Sequence, residues 1–203
     1  MKDGNKIPIS ISVRHVHLCG DHVEILYGEG HTLTEQAPLS QPGQYACTES
    51  VTLVGPKGRL EDVRVLGPER KSTQVEISRT DEFTLGLDAP IRGSGKLENT
   101  PGIRLEGTVG HVDLTSGVIQ AERHIHMHPT DAERMDVQDK QYVMVRVGGG
   151  RGIIFDDVQV RVSPKYKLDM HLDTDEANAA DLGSSAWGEL ITIDTTIRPD
   201  PDD

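Results

Sequence analysis

Short stretches in which apolar and polar residues alternate recur along the chain. Val51-Thr52-Leu53-Val54 and Val143-Met144-Val145-Arg146-Val147 are the clearest, and a period of two places every second side chain on one face of a strand. Twenty-one glycines (21) and eleven prolines (11) punctuate these runs with turns. The pattern predicts a mainly β chain of many short strands. Its 203 residues suffice for one larger domain or two small ones.

The pattern also repeats. Arg14-His15-Val16-His17-Leu18 returns as Arg123-His124-Ile125-His126-Met127, an offset of 109 residues (15 to 124). Each copy runs into a predicted short helix with a capping box, Asp21 with Glu24 and Thr130 with Glu133. A second block follows in the same order, Asp62-Val63-Arg64-Val65 against Asp157-Val158-Gln159-Val160, now offset by 95 (62 to 157). The offsets differ by 14, so the first half carries about that many extra residues, and turn-rich Leu39-Ser-Gln-Pro-Gly-Gln-Tyr45 is the natural place for them. The fold expectation is two similar small β-barrel domains from an internal duplication, with short helices. They span residues 1–92 and 103–195, joined by a polar linker at 93–102, with a flexible tail at 196–203.

Aromatic residues make up only 3% of the chain, so Val, Leu and Ile must fill both cores. A formal net charge of −12 argues against nucleic acid or an anionic membrane as partner. No apolar run approaches the length of a membrane span, and no signal peptide is expected. Cys19 and Cys47 are too few for a disulfide framework, which favours a reducing, cytoplasmic setting.

In a strand, residues i and i+2 share a face, so His15 projects with His17 and His124 with His126. Two imidazoles on one face are half of a tetrahedral zinc site. One such pair reads as easily as surface or core histidines, but its recurrence at equivalent positions favours a metal. The 95-residue offset supplies a third ligand to each pair, because it aligns Glu76 with His171 (76 to 171). Three protein ligands and an open position describe a catalytic centre. Cys19 and His128 continue the series more weakly, since each stands where a helix should begin. His22, His31 and His111 lack evident partners and read as solvated. Arg70, aligned with Lys165 by the same offset, follows the Gly67-Pro68 turn and could reach over the site. A guanidinium there would fork onto phosphate oxygens; the bland alternative is a surface arginine.

On Ser12-Val-Arg-His-Val-His17, Leu39-Ser-Gln-Pro-Gly-Gln44, Val65-Leu-Gly-Pro-Glu-Arg70, Thr73-Gln-Val-Glu-Ile-Ser78, Gly86-Leu-Asp-Ala-Pro90 and Arg123-His-Ile-His-Met127, the chain resembles the propanediol-utilisation type of phosphate acyltransferase, the phosphate propanoyltransferases. The likeness runs from about Ile9 to Leu190. It implies two β-barrel domains with a two-zinc site between them. One zinc falls to His15, His17 and Glu76, with coenzyme A sulfur able to complete its shell, and the other to His124, His126 and His171. Arg70 matches the phosphate-site arginine, Asn178 a polar residue lining the site, and Ser12, Arg64 and Leu66 positions associated with coenzyme A. The implied reaction interconverts a short acyl-CoA (propanoyl or acetyl) plus phosphate with acyl phosphate plus coenzyme A, in a homodimer. Members sent to bacterial microcompartments carry an N-terminal amphipathic extension, for which Met1-Lys-Asp-Gly-Asn-Lys6 is too short, and Thr34-Glu-Gln-Ala37 lacks a lysine found in many members.

The rival reading is a two-zinc acyl or phosphoester hydrolase, because an open zinc also activates water. A cupin-like module would want Glu four or five residues after the second His, and that spacing fails. A non-enzymatic interaction protein predicts no metal.

Overall fold

The computed structural model describes residues 5–183 and 185–191. The 196–203 tail and the first four residues lie outside them. Among the described residues are fifteen strands and four short helices, so the chain is mainly β as the alternation predicts.

The residues fall into two compact units. One holds β1 (Lys6–Ser12), β11 (His124–Met127), α3 (Pro129–Met135), β12 (Tyr142–Val147), β13 (Ile153–Val162), β14 (Asp169–Asp173), α4 (Thr174–Ala179) and β15 (Ala186–Ile191). Its strands close into a barrel in the order β1-β14-β11-β13-β12-β15. Inside lie Ile7, Ile9, Ile125, Met127, Val145, Phe155, Val160 and Met170. Residues 40–42 belong here too: buried Gln41 donates to the Lys167 carbonyl at 2.9 Å and accepts from the Lys167 amide at 3.2 Å.

The other unit holds β2 (His15–His17), α1 (Gly20–Tyr27), β3 (Glu35–Pro38), β4 (Tyr45–Val54), β5 (Arg59–Gly67), β6 (Gln74–Glu76), α2 (Arg79–Leu85), β7 (Ile91–Arg92), β8 (Arg104–Glu106), β9 (His111–Asp113) and β10 (Val118–Ala121). These form a curled nine-stranded sheet in the order β7-β10-β6-β2-β5-β4-β8-β9, with β3 on β4. Its core is again aliphatic: Val16, Leu18, Leu26, Leu53, Val63, Val65, Val75, Leu85 and Leu105.

The registers bear out the duplication. His15 pairs with Glu76 and with Arg64; His124 pairs with His171 and with Gln159. Asp62 and Asp157 both sit in the left-handed region (φ 54° and 53°), beside irregularities in the β4–β5 and β12–β13 ladders. Short polar side chains tolerate that conformation, which explains the Asp that opens each copy of the second repeat block.

The division is not the expected one. In place of a cut at 93–102, the halves exchange strands. β1 precedes the first His motif yet pairs with β14 of the second (Ile9 with Met170, Ser10 with His171). β10 precedes the second motif yet pairs with β6 of the first (Val118 with Val75, Ile119 with Glu76). The sequence expectation assumed that each half keeps its own leading strand, and alternation alone cannot name a strand's partner. One barrel closes and the other sheet stays open for a visible reason. β15 has six residues and pairs antiparallel with both β1 and β12. Its counterpart β7, straight after Pro90, has two residues and pairs with β10, while β4 is edged by β8.

The helix starts also differ. α1 begins at Gly20 with Cys19 as N-cap and no side-chain cap, and α3 begins at Pro129 with His128 as N-cap. Asp21 and Thr130 therefore lie inside the first turn, because the helices start earlier than the capping boxes assumed. Real capping boxes open α2 (Ser78 with Asp81) and α4 (Asp173 with Glu176). The extra residues of the first half do lie between α1 and β4, where the turn-rich segment places them.

Candidate metal centre

β2 and β6 run antiparallel with His15 opposite Glu76, so one pair of strands delivers three ligands to one face. Ligand atoms of His15, His17 and Glu76 all lie within 4.8 Å of one another, the one such group of three among the described residues. His15 Nε2 is 3.4 Å from one Glu76 oxygen and His17 Nε2 is 4.0 Å from the other. The opposite ring nitrogens are held by backbone carbonyls: His15 Nδ1 by Val13 at 2.9 Å and His17 Nδ1 by Leu66 at 3.3 Å. Such bonds fix the tautomer and aim the Nε2 lone pairs inward.

Burial disfavours charge on His15, but the Glu76 carboxylate outweighs it and raises its pKa. Burial, then the charges of His15 and Arg70, push His17 down to about 3. Burial works to raise the Glu76 pKa, yet His15, His17 and Arg70 hold the carboxyl well below the usual carboxylate range. A carboxylate, a neutral imidazole and a second imidazole that gives up its proton make a donor set that fits zinc. Arg70, half-buried, acts electrostatically on all three, and its Nη1 donates to Ser94 Oγ at 3.0 Å.

In the other unit β11 and β14 bring the second trio together. Ring centroids are 4.6 Å apart for His124–His126, 5.1 Å for His124–His171 and 4.9 Å for His126–His171. Their nitrogens converge less than those of the first trio, His124 and His171 being stacked at 7°. Burial, then the charges of His171 and Arg161, push His126 down to about 3. Among the described residues the buried side-chain polar atoms without a hydrogen-bond partner are His126 Nδ1, His171 Nε2 and Asp169 Oδ1. Buried orphan atoms are costly, and three gathered imidazoles are donors of the kind zinc takes, so this set also fits a metal.

The family model for phosphate propanoyltransferase matches residues 8–183. The chain belongs to the phosphate propanoyltransferase family. It is 56% identical over 188 residues to the phosphate propanoyltransferase of Thermotoga maritima, covering 92% of this chain and 88% of that protein. Proteins of the same name from Clostridioides difficile (52% over 185 residues; 91% and 88% covered) and Salmonella typhimurium (54% over 175; 86% and 83%) are similar too. Membership of the phosphate propanoyltransferase family makes the chain an acyltransferase enzyme.

Of the other positions singled out by the likeness to phosphate propanoyltransferases, Ser12 ends β1 with its Oγ 3.4 Å from His171 Nδ1. Leu66 is half-buried on β5 and Arg64 exposed on the same strand, while Asn178 is exposed in α4. Cys19 and His128 are N-caps rather than members of the converged group, Cys19 contacting Thr73 and His128 accepting from the Thr130 amide. Two of the three histidines expected to be solvated are engaged: His22 meets Thr73 Oγ1 at 2.7 Å and His31 meets Glu49 at 2.9 Å. Both partners lie far along the chain and carried no signal. His111 is exposed.

Sequence reasoning missed Gln74, Ser94 and Asp169. Gln74 and Asp169 stand two residues before the third ligands and align by the same 95-residue offset (74 to 169), a signal that was available. It missed as well that Arg14 pairs with Asp81 at 2.7 Å and Arg123 with Glu176 at 2.9 Å. The arginine of each motif thus grips the capping box of the helix that follows the third ligand. Lys165, the counterpart of Arg70, is exposed.

Proposed function

We propose that the chain catalyses reversible transfer of a short acyl group, propanoyl or acetyl, between coenzyme A and inorganic phosphate. The observation that carries the reading is a guanidinium, Arg70, held beside the converged ligand atoms of His15, His17 and Glu76. His15, His17 and Glu76 would hold one zinc ion, and His124, His126 and His171 a second. When bound, zinc supplies positive charge that keeps a thiol deprotonated near neutral pH and offsets a developing oxyanion.

The chain's own residues supply binding and order. Arg70 presents a planar fork to phosphate, and the Ser94 hydroxyl fixes its direction. A phosphate oxygen so held attacks the thioester carbonyl carbon; the carbon–sulfur bond breaks and coenzyme A leaves as thiolate. No protein nucleophile is required. Buried Cys47 is unsuited to the task, since burial and then the Glu49 charge push its thiol up to about 11. Ser12, Arg64, Leu66 and Asn178 are the candidate contacts to coenzyme A and the acyl group. A homodimer is the expected assembly, and light scattering that returns one chain's mass at every concentration would overturn it.

The test is release of thiol from propanoyl-CoA with and without phosphate, with zinc counted on the same sample. Acyl transfer requires phosphate and yields acyl phosphate. Thioester cleavage that proceeds without phosphate would establish the hydrolase instead.

A further inference from the structure

The two third ligands differ in chemistry, Glu76 in one trio and His171 in the other, and so do the residues two places before them. Gln74 is 1% exposed and Asp169 is 3% exposed, so both are buried polar groups on the face of the ligand they precede. In the ladders Gln74 lies opposite His17 and Asp169 opposite His126, the same place in both units.

Gln74 Nε2 donates to Glu76 Oε1 at 2.5 Å and to Ser94 Oγ at 2.9 Å, while its Oε1 accepts from the Gly95 amide at 2.8 Å. The amide is fixed at both ends and gives a hydrogen to a ligand that can only accept. Asp169 Oδ2 accepts from Ser10 Oγ at 2.7 Å and lies 3.3 Å from His171 Nε2. That contact is off the line of a hydrogen bond, which leaves His171 Nε2 and Asp169 Oδ1 both unpartnered. A carboxylate thus stands beside a ligand that can donate.

We infer that Gln74 and Asp169 are equivalent positioning residues, each matched in hydrogen-bonding sense to the third metal ligand of its own unit. The donor amide of Gln74 orients the Glu76 carboxylate. The Asp169 carboxylate accepts a hydrogen bond from the N–H of one His171 ring nitrogen, which leaves the lone pair on the opposite nitrogen. Donor-with-acceptor and acceptor-with-donor are the two ways to satisfy one geometry, and the duplication has used one in each half. Outer partners of this kind change metal affinity by about ten- to a hundredfold.

The inference rests on the two-metal reading, and zinc affinity measured by chelator competition separates the two. Wild type should hold two ions. Asp169→Asn should weaken one of them by about tenfold or more and leave the other, and Gln74→Leu should do the reverse. A variant that only loosened the fold would weaken both. His171→Glu sets a carboxylate against Asp169 and should lose one ion. Adding Asp169→Gln to it copies the Gln74/Glu76 arrangement and should recover binding, with the cobalt-substituted protein regaining a second absorption band. Wild-type affinities in both single variants, or a double variant no better than His171→Glu alone, would overturn the inference while leaving two ions in the wild type. Wild type with no second ion would remove the metal reading and this inference together.

Discussion

Arg70 separates phosphate-dependent acyl transfer from simple zinc hydrolysis. Arg70→Lys keeps the charge and loses the fork; Arg70→Ala loses both. If the contact tightens in the transition state, the alanine variant should lose about 2–4 kcal/mol, which is roughly 30- to 1000-fold in rate. Zinc content should hardly change, and unchanged phosphate kinetics would take Arg70 out of the site. Replacing His124 and His126 together should remove one zinc and nearly all activity; retention of both ions would refute their assignment. Protonation gives a further test. The His126 pKa is lowered from 6.5 to about 3, so its ring in the metal-free protein stays neutral at pH 5, where an ordinary imidazole is roughly 97% protonated. The unfolded chain takes up a proton there that the folded one refuses, so acidification from pH 6.5 towards 3 removes stability. Ring chemical shifts of a protonated His126 at pH 5 would contradict this.

At the scale of elements, the repeated unit is larger than the histidine pair. A motif strand, the strand carrying the third ligand and the helix after it are bound by one ion pair: Arg14 to Asp81 in one unit and Arg123 to Glu176 in the other. The Asp81 side chain is 3% exposed and also closes the Ser78 capping box. Arg14→Ala would leave that carboxylate buried with one partner fewer, at about 1–3 kcal/mol. The denaturation midpoint should fall accordingly, and a change below about 0.5 kcal/mol would mean that water replaces the arginine. The first block of the repeat was legible because a strand displays i and i+2 together. The helix starts were not, since neither N-cap is a usual capping residue: Cys19 makes no side-chain cap bond and His128 caps through its ring nitrogen.

For the whole molecule, the exchange of leading strands makes neither half self-sufficient. β1 fills the barrel position between β14 and β15. A fragment of residues 123–191 carries the second motif but neither exchanged strand. It would expose the facing edges of β14 and β15 and bare the core where Ile7 and Ile9 belong. Its thermal melt, followed by circular dichroism, should show no cooperative transition; a sharp melt would mean the barrel closes without β1. The exchange of leading strands also explains why a polar linker at 93–102 is a poor guide to the division.

The residue pattern by itself determined the β class, the duplication and both histidine trios, because each depends on local periodicity or on two fixed offsets. The same offset aligned Arg70 with Lys165 but left open whether Arg70 reaches over the first trio or is a surface arginine. Only the tertiary structure decided which strands pair, and therefore that β1 (Lys6–Ser12) completes the barrel of the second motif. Strand pairing is a long-range choice made by backbone hydrogen bonds, which look alike at every residue and leave no mark on side-chain alternation. Barrel closure was decided at the same level, by six residues in β15 where β7 has two. Gln74 and Asp169 lie between these cases: their spacing was visible in the chain, but their meaning needed the positions of Glu76 and His171 beside them.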